Sequence, residues 1–110
     1  MAFSKKIRKL VYDKCDGHCA YCGVKLDKMQ IDHVTAKYNG GGDDLSNLLP
    51  TCPSCNNYKH SMDLEGFRQF MKEIHKRIYN NITTVRIAER YGVIEVKPFD
   101  GVFYFEKMEE

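Results

Sequence analysis

Asp32, His33, Asn47, Asn56 and Lys59 gather a carboxylate, an imidazole, two amides and an ammonium into one short stretch of the chain. These are the groups that hydrolysis of a phosphodiester requires. The reaction needs a base to activate water and a cation to stabilise charge building on the phosphate. An imidazole suits the first task near neutral pH. A carboxylate and an amide oxygen suit a hard divalent ion such as Mg²⁺. Asp32 and Asn56 supply those oxygens, with water and phosphate completing the shell. Lys59 follows Asn56 by three positions. On a helix that spacing shares a face, where an ammonium can hold a phosphate. Adjacent residues on a strand point to opposite faces, so Asp32 and His33 serve one site only if the strand ends or bends there. The bland alternative for such polar residues is turn formation and helix capping.

Two Cys-x-x-Cys pairs, Cys19 with Cys22 and Cys52 with Cys55, bracket this cluster. Each pair lies in a turn-rich setting, Gly17-His-Cys-Ala-Tyr-Cys-Gly23 and Cys52-Pro-Ser-Cys-Asn-Asn57. A single pair could be a redox motif, whereas four thiolates match a closed tetrahedral zinc site. Twenty-nine residues separate Cys22 from Cys52, more than a compact zinc ribbon carries. The insert must therefore hold structure of its own, and it holds the polar cluster. Cys15 is left over and reads as a buried thiol.

The elements that would position these residues follow from the pattern. Ser4 caps a first helix whose apolar face is Phe3, Ile7, Leu10 and Val11, with Lys5, Lys6, Arg8 and Lys9 on the other side. Met29–Val34 alternates as a strand, 37–44 is a glycine loop, and Leu45–Thr51 is a partner strand or extended segment. Pro53 opens a short helix running to about Met62. Asp63 caps a longer helix over Leu64–Asn80, with Leu64, Phe67, Met71, Ile74 and Ile78 on its apolar face. His75 on that helix reads as a surface or capping residue. A further short helix covers Thr84–Arg90 and stops at Gly92. The runs Val93–Lys97 and Val102–Lys107 around Asp100-Gly101 predict a C-terminal β-hairpin. There are no internal repeats.

At 110 residues the chain fits one domain, small enough to need a staple such as a metal. Net charge is only +2, so charge does not by itself announce a nucleic-acid binder, although cations crowd the first helix. No apolar run is long enough for a membrane span. The start, Met-Ala-Phe-Ser-Lys-Lys, has no secretory apolar core, which points to the cytoplasm, where cysteines bind metal more often than they form disulfides.

Cys19-Ala-Tyr-Cys22, Ile31-Asp32-His33-Val34, Gly41-Gly42-Asp43-Asp44-Leu45-Ser46-Asn47-Leu48 and Cys52-Pro-Ser-Cys55-Asn56-Asn57-Tyr58-Lys59 fall in order at compatible spacing. The stretch from Cys19 to His60 thereby resembles the HNH endonuclease family in its four-cysteine variety. The resemblance implies an α+β fold: a small ββα-metal (His-Me finger) core with a structural four-cysteine zinc site, flanking helices and the C-terminal hairpin. It implies one nuclease domain over 1–110, with its motif core at 19–60 and the helix and hairpin at 63–107. His33 matches the general base. Asp32 and Asn56 match ligands of a catalytic Mg²⁺ or Mn²⁺, and Asn47 matches the asparagine that braces the loop and orients the base. Asn56 stands where many members have histidine, which makes this an H-N-N variant. Lys59, His60 and Lys37 are assigned to substrate, His60 because its distance from Asn56 keeps it on the same helix face. The expected partner is DNA, with RNA as a further candidate. The expected product ends are a 5′-phosphate and a 3′-hydroxyl, and the expected state is a monomer or weak homodimer. Such families serve phage and mobile elements. A zinc-stapled nucleic-acid-binding module without cleavage activity is the alternative.

Overall fold

The structure, a computed structural model, describes residues 3–108. Helix α1 spans Lys5–Asp13, and the Ser4 hydroxyl accepts from the Ile7 amide at 3.2 Å, which satisfies one of the unpaired donors of the first turn. A turn carries the chain from α1 through Gly17, at φ 80°, into the first cysteine knuckle. Strand β1 is Gln30–His33 and strand β2 is Leu48–Thr51. They pair antiparallel, with Gln30 opposite Thr51, Ile31 opposite Pro50, Asp32 opposite Leu49 and His33 opposite Leu48. Between them run two short 3₁₀ turns, Lys37–Asn39 and Leu45–Asn47. Helix α2, Pro53–Lys59, begins with Pro53 in its first turn, where the missing N–H costs nothing. Strand, strand and helix form the ββα unit expected for an α+β fold.

The chain divides into two units. The first runs to Leu64 and takes in the segment from Phe103 onward; the second is Glu65–Val102. The first has a core of Val11, Cys15, Ala20, Tyr21, Leu48, Leu49 and Phe103. Rings pack within it edge-on, Tyr21 against Phe103 at 5.1 Å between centroids. Lys14 donates to the carbonyl of Leu48 at 2.7 Å, which fastens the end of α1 to the start of β2.

The second unit holds most of α3, Leu64–Lys72, then α4, Ile74–Asn81, and α5, Thr83–Arg90. The single helix expected over Leu64–Asn80 is broken. Glu73 sits at φ −100° and ψ 0°, and the hydrogen bonds beside it, Glu73 to Phe70 and Lys76 to Glu73, span three residues rather than four. No proline or glycine marks the break, so the apolar periodicity runs through it unaltered. Arg77 lies 3.8 Å from the Phe70 ring centre in a cation–π contact. Arg86 donates to the carbonyls of Tyr79 at 2.6 Å and Asn80 at 3.0 Å, tying α5 to the end of α4. Helix α5 ends as expected at Gly92, φ 74°, with Gly92 N–H bonded to Glu89 and Val93 N–H to Ala88.

The C-terminal hairpin is absent among the described residues. Residues 93–97 form no ladder, and Tyr104–Lys107 is a short helix, α6. The Asp100-Gly101 turn exists, with Gly101 at φ 87°, but the chain beyond it bonds elsewhere. The amides of Tyr104 and Phe105 donate to the carbonyls of Tyr21 and Ala20, at 3.2 and 2.8 Å. Donors used by the knuckle cannot also serve a hairpin ladder.

Candidate active site

The four cysteines come together. Their sulfurs lie within 4.8 Å of one another, and Cys22 and Cys52 are 3.9 Å apart. The first pair is shaped by a tight turn in which Gly23, at φ 80°, returns its N–H to the Cys19 carbonyl at 2.9 Å. The second pair sits at the start of α2, where Cys52 is the N-cap and its sulfur accepts from the Cys55 amide at 3.4 Å. The sulfurs share charge unevenly. The hydrogen bond from Cys55 draws Cys19 down to about 4, and Cys55 in turn is pushed up, first by that bond and then by burial. A crowded thiol set holding negative charge in a half-buried pocket is what Zn²⁺ relieves, and four thiolates leave no open position on it. The residues present fit a structural zinc ion.

Behind this frame, α2 lies across β1 so that two helix positions meet two strand positions. Asn56 and Lys59 are one turn apart on α2, and Gln30 and Asp32 are two apart on β1, hence on one face. Asn56 Nδ2 donates to Gln30 Oε1 at 2.7 Å. Lys59 Nζ stands 3.1 Å from Asp32 Oδ2. The same Oδ2 accepts from the Tyr21 hydroxyl at 2.6 Å. Tyr21 is one of the two residues between the paired cysteines of the knuckle, so the cysteine frame touches Asp32 directly. Burial and the neighbouring Asp32 carboxylate hold the Tyr21 hydroxyl in its protonated, donating form. Asp32 Oδ1 and Asn56 Oδ1 keep no partner among the described residues. A carboxylate oxygen and an amide oxygen are donor types that a hard divalent ion takes.

Lys59 has a different surrounding from the one its spacing suggested. Its side chain is 0% exposed, and its ammonium also donates to the backbone carbonyl of His33 at 3.1 Å. The expected phosphate contact gives way to an internal one, because α2 presses this face onto β1. A buried ammonium requires a carboxylate and carbonyls around it, and here it has them. His60 also departs from expectation. Helix α2 ends at Lys59, and His60 takes φ 53° beyond it, exposed, with Nδ1 3.3 Å from the Ser61 hydroxyl. The shared helix face argued for His60 and Asn56 does not exist.

His33 closes β1, where the strand ends and the loop begins. Its Nε2 lies 2.7 Å from Asp43 Oδ1 in the glycine loop. The other oxygen of Asp43 is 3.2 Å from the ammonium of Lys37. Hydrogen bonds from His33 and then Lys37 hold the Asp43 carboxyl below the ordinary aspartate range. Asn47 acts on the loop rather than on the imidazole. Its Oδ1 accepts from the Thr35 amide at 2.9 Å, and its Nδ2 donates to the carbonyls of Thr35 and Gly42 at 3.1 and 2.8 Å. The loop closes so tightly that a Cβ on Gly41 would lie 1.7 Å from the Thr35 carbonyl oxygen. Only glycine fits there.

The sequence reading missed three residues of this arrangement: Gln30, Tyr21 and Asp43. Gln30 was legible, since the period of the strand places it with Asp32. Tyr21 and Asp43 were not, because their contacts depend on how the knuckle and the loop fold back.

With the thiol frame, the ββα unit and the histidine at the strand end in place, the comparisons with known proteins agree. A family model described as HNH endonuclease matches residues 19–62. That segment is similar to the HNH endonuclease family. The chain is also similar to YoqL, an SPbeta prophage-derived protein of Bacillus subtilis (strain 168) named for an HNH endonuclease. The two are 32% identical over 76 aligned positions, which cover 54% of this chain and 32% of the relative. The chain thus spans about a third of the length of that relative. No solved structure matches. The cysteine cluster of this segment is suited to zinc. Among the described residues no helix is long and apolar enough to cross a membrane.

Proposed function

We propose that this protein is a divalent-metal-dependent DNA endonuclease in which His33 is the general base, Asp32 and Asn56 hold a catalytic Mg²⁺ or Mn²⁺, and four cysteines hold a structural zinc. The observation that carries this reading is the meeting of α2 with β1: Asn56 on Gln30 and Lys59 on Asp32, with His33 at the strand end, all inside the HNH segment. The divalent ion, when bound, supplies positive charge to the scissile phosphate. The residues do the rest. Gln30 takes up the amide N–H of Asn56 and so directs its carbonyl oxygen outward. Tyr21 and Lys59 occupy one oxygen of Asp32, stop the carboxylate from rotating, and leave the other oxygen available. Asn47 fixes the loop that faces His33. Lys37, exposed at the head of that loop, and the cations Lys5 and Lys6 of α1 supply positive charge for the DNA backbone.

Nicking of supercoiled plasmid tests the reading. Zinc-loaded protein should convert the plasmid to the open circle with Mg²⁺ or Mn²⁺ and leave it intact with EDTA. A zinc-loaded protein that binds DNA yet leaves it uncut with either metal is the non-catalytic module instead.

A further inference from the structure

Asp43 lies within the glycine-rich motif but is given no role by the HNH resemblance, yet its carboxylate is what the His33 imidazole hydrogen-bonds. The contact is short, 2.7 Å from Nε2 to Oδ1, and only partly open to solvent, with the two side chains 19% and 41% exposed. We propose that Asp43 is a positioning residue for the base, holding the His33 ring by Nε2 so that Nδ1 is the nitrogen presented to the attacking water. This rests on the nuclease reading above and adds the group that orients its base.

The argument starts from donor and acceptor chemistry. An ionised carboxylate only accepts, so the hydrogen in this contact belongs to Nε2. A neutral imidazole with its hydrogen on Nε2 has its lone pair on Nδ1, which makes Nδ1 the basic atom. The ring is restrained on two sides. Asp43 takes one edge, and the Phe3 ring stands against it at 6.0 Å between centroids, tilted by 40°. Asp43 is itself held. Lys37 pairs with its second oxygen at 3.2 Å, and Asn47 bonds the carbonyl of the preceding residue, Gly42, at 2.8 Å. A chain of contacts therefore runs from Asn47 through Gly42 and Asp43 to His33. It gives Asn47 an influence on the base without touching it.

In the reaction, an O–H bond of water breaks and its proton passes to Nδ1. The water oxygen bonds to phosphorus, the bond from phosphorus to O3′ breaks, and the departing oxygen takes a proton from solvent. His33 becomes an imidazolium, which the Asp43 carboxylate stabilises across Nε2 while keeping its own ionised state. Partners that fix the orientation and tautomer of a metal-bound histidine are worth about ten- to a hundredfold in activity, and the same order is expected here.

The test uses the full zinc-loaded chain with Asp43→Ala and Asp43→Asn, both at an exposed loop position. Long-range ¹⁵N–¹H correlation spectra at neutral pH report which ring nitrogen carries the hydrogen. The His33 signals are identified by their disappearance in His33→Ala. Wild type should show His33 as the Nε2–H tautomer, and Asp43→Ala should show a mixture. Plasmid nicking should lose about ten- to a hundredfold in kcat with Asp43→Ala while KM stays within about threefold, and Asp43→Asn, which still accepts but carries no charge, should fall between. A wild-type Nδ1–H tautomer overturns the proposal, and so does an Asp43→Ala enzyme as fast as an active wild type. A zinc-loaded wild type that never nicks overturns the nuclease reading itself, while an active wild type indifferent to Asp43 overturns only this role.

Discussion

At the scale of single residues the decisive fact is that adjacent side chains on β1 go to separate partners. Asp32 points into the fold, 6% exposed, and His33 points into the loop. The sequence displayed both residue types but not the division between them. It also displayed Lys59 at the helical spacing that suggests a phosphate contact, and the structure buries it against Asp32. That placement has a measurable consequence. Removing one partner of a buried ion pair leaves an uncompensated charge, at a cost of about 3–5 kcal/mol. Lys59→Met should therefore destabilise the zinc-loaded protein by about that amount in urea unfolding. A loss of less than about 1 kcal/mol would mean that Lys59 is solvated rather than internal. The single-residue features that were legible were those with local causes: Ser4 as a cap, Pro53 in a first turn, Gly92 as a helix stop. Tyr21 and Asp43 were illegible for the opposite reason. A tyrosine between two cysteines reads as packing, and an aspartate after two glycines reads as a turn residue. Their partners lie 11 and 10 positions away along the chain and meet them only after folding.

At the scale of elements, periodicity found what periodicity determines. The helix α5 and the alternating β1 lie where the pattern put them, within a residue or two, and α1 starts where Ser4 put it. The failures share a cause. The hairpin signal around Asp100-Gly101 was a correct turn with the wrong continuation, because the amides of Tyr104 and Phe105 found the carbonyls of Tyr21 and Ala20. The break at Glu73 leaves no trace in composition. Local sequence cannot show which of several acceptors a strand-like segment will meet. The same contact ties the segment after Phe103 to the cysteine knuckle, and the cysteines tie the knuckle to α2. Zinc should then be a folding ligand, with an apparent contribution of about 10–16 kcal/mol judged from small zinc modules. Stripping it with a high-affinity chelator should abolish the cooperative thermal transition of the unit that carries the site and lower the helical signal. Re-adding Zn²⁺, but not Mg²⁺, should restore both. A transition midpoint unchanged after zinc is shown to be gone would remove the metal from the account of the fold.

At the scale of the whole molecule, the site and its zinc frame are contained in the first unit. The second unit, Glu65–Val102, carries its own helices and lies wholly outside the HNH match at 19–62. The likeness to the HNH family and the four-thiol frame were legible in the sequence because cysteine spacing and the Asp-His, Asn, Asn order survive any detail of packing. The central claim is that this small zinc-stapled unit cuts a phosphodiester with His33 as the base. Its most direct test is plasmid nicking by His33→Ala beside wild type, both checked to hold zinc and to bind Mn²⁺ equally. The account predicts that the variant keeps both metals and its fold while nicking falls by a factor on the order of a hundred or more, the usual worth of a general base. A zinc-loaded His33→Ala that nicks at the wild-type rate would contradict it.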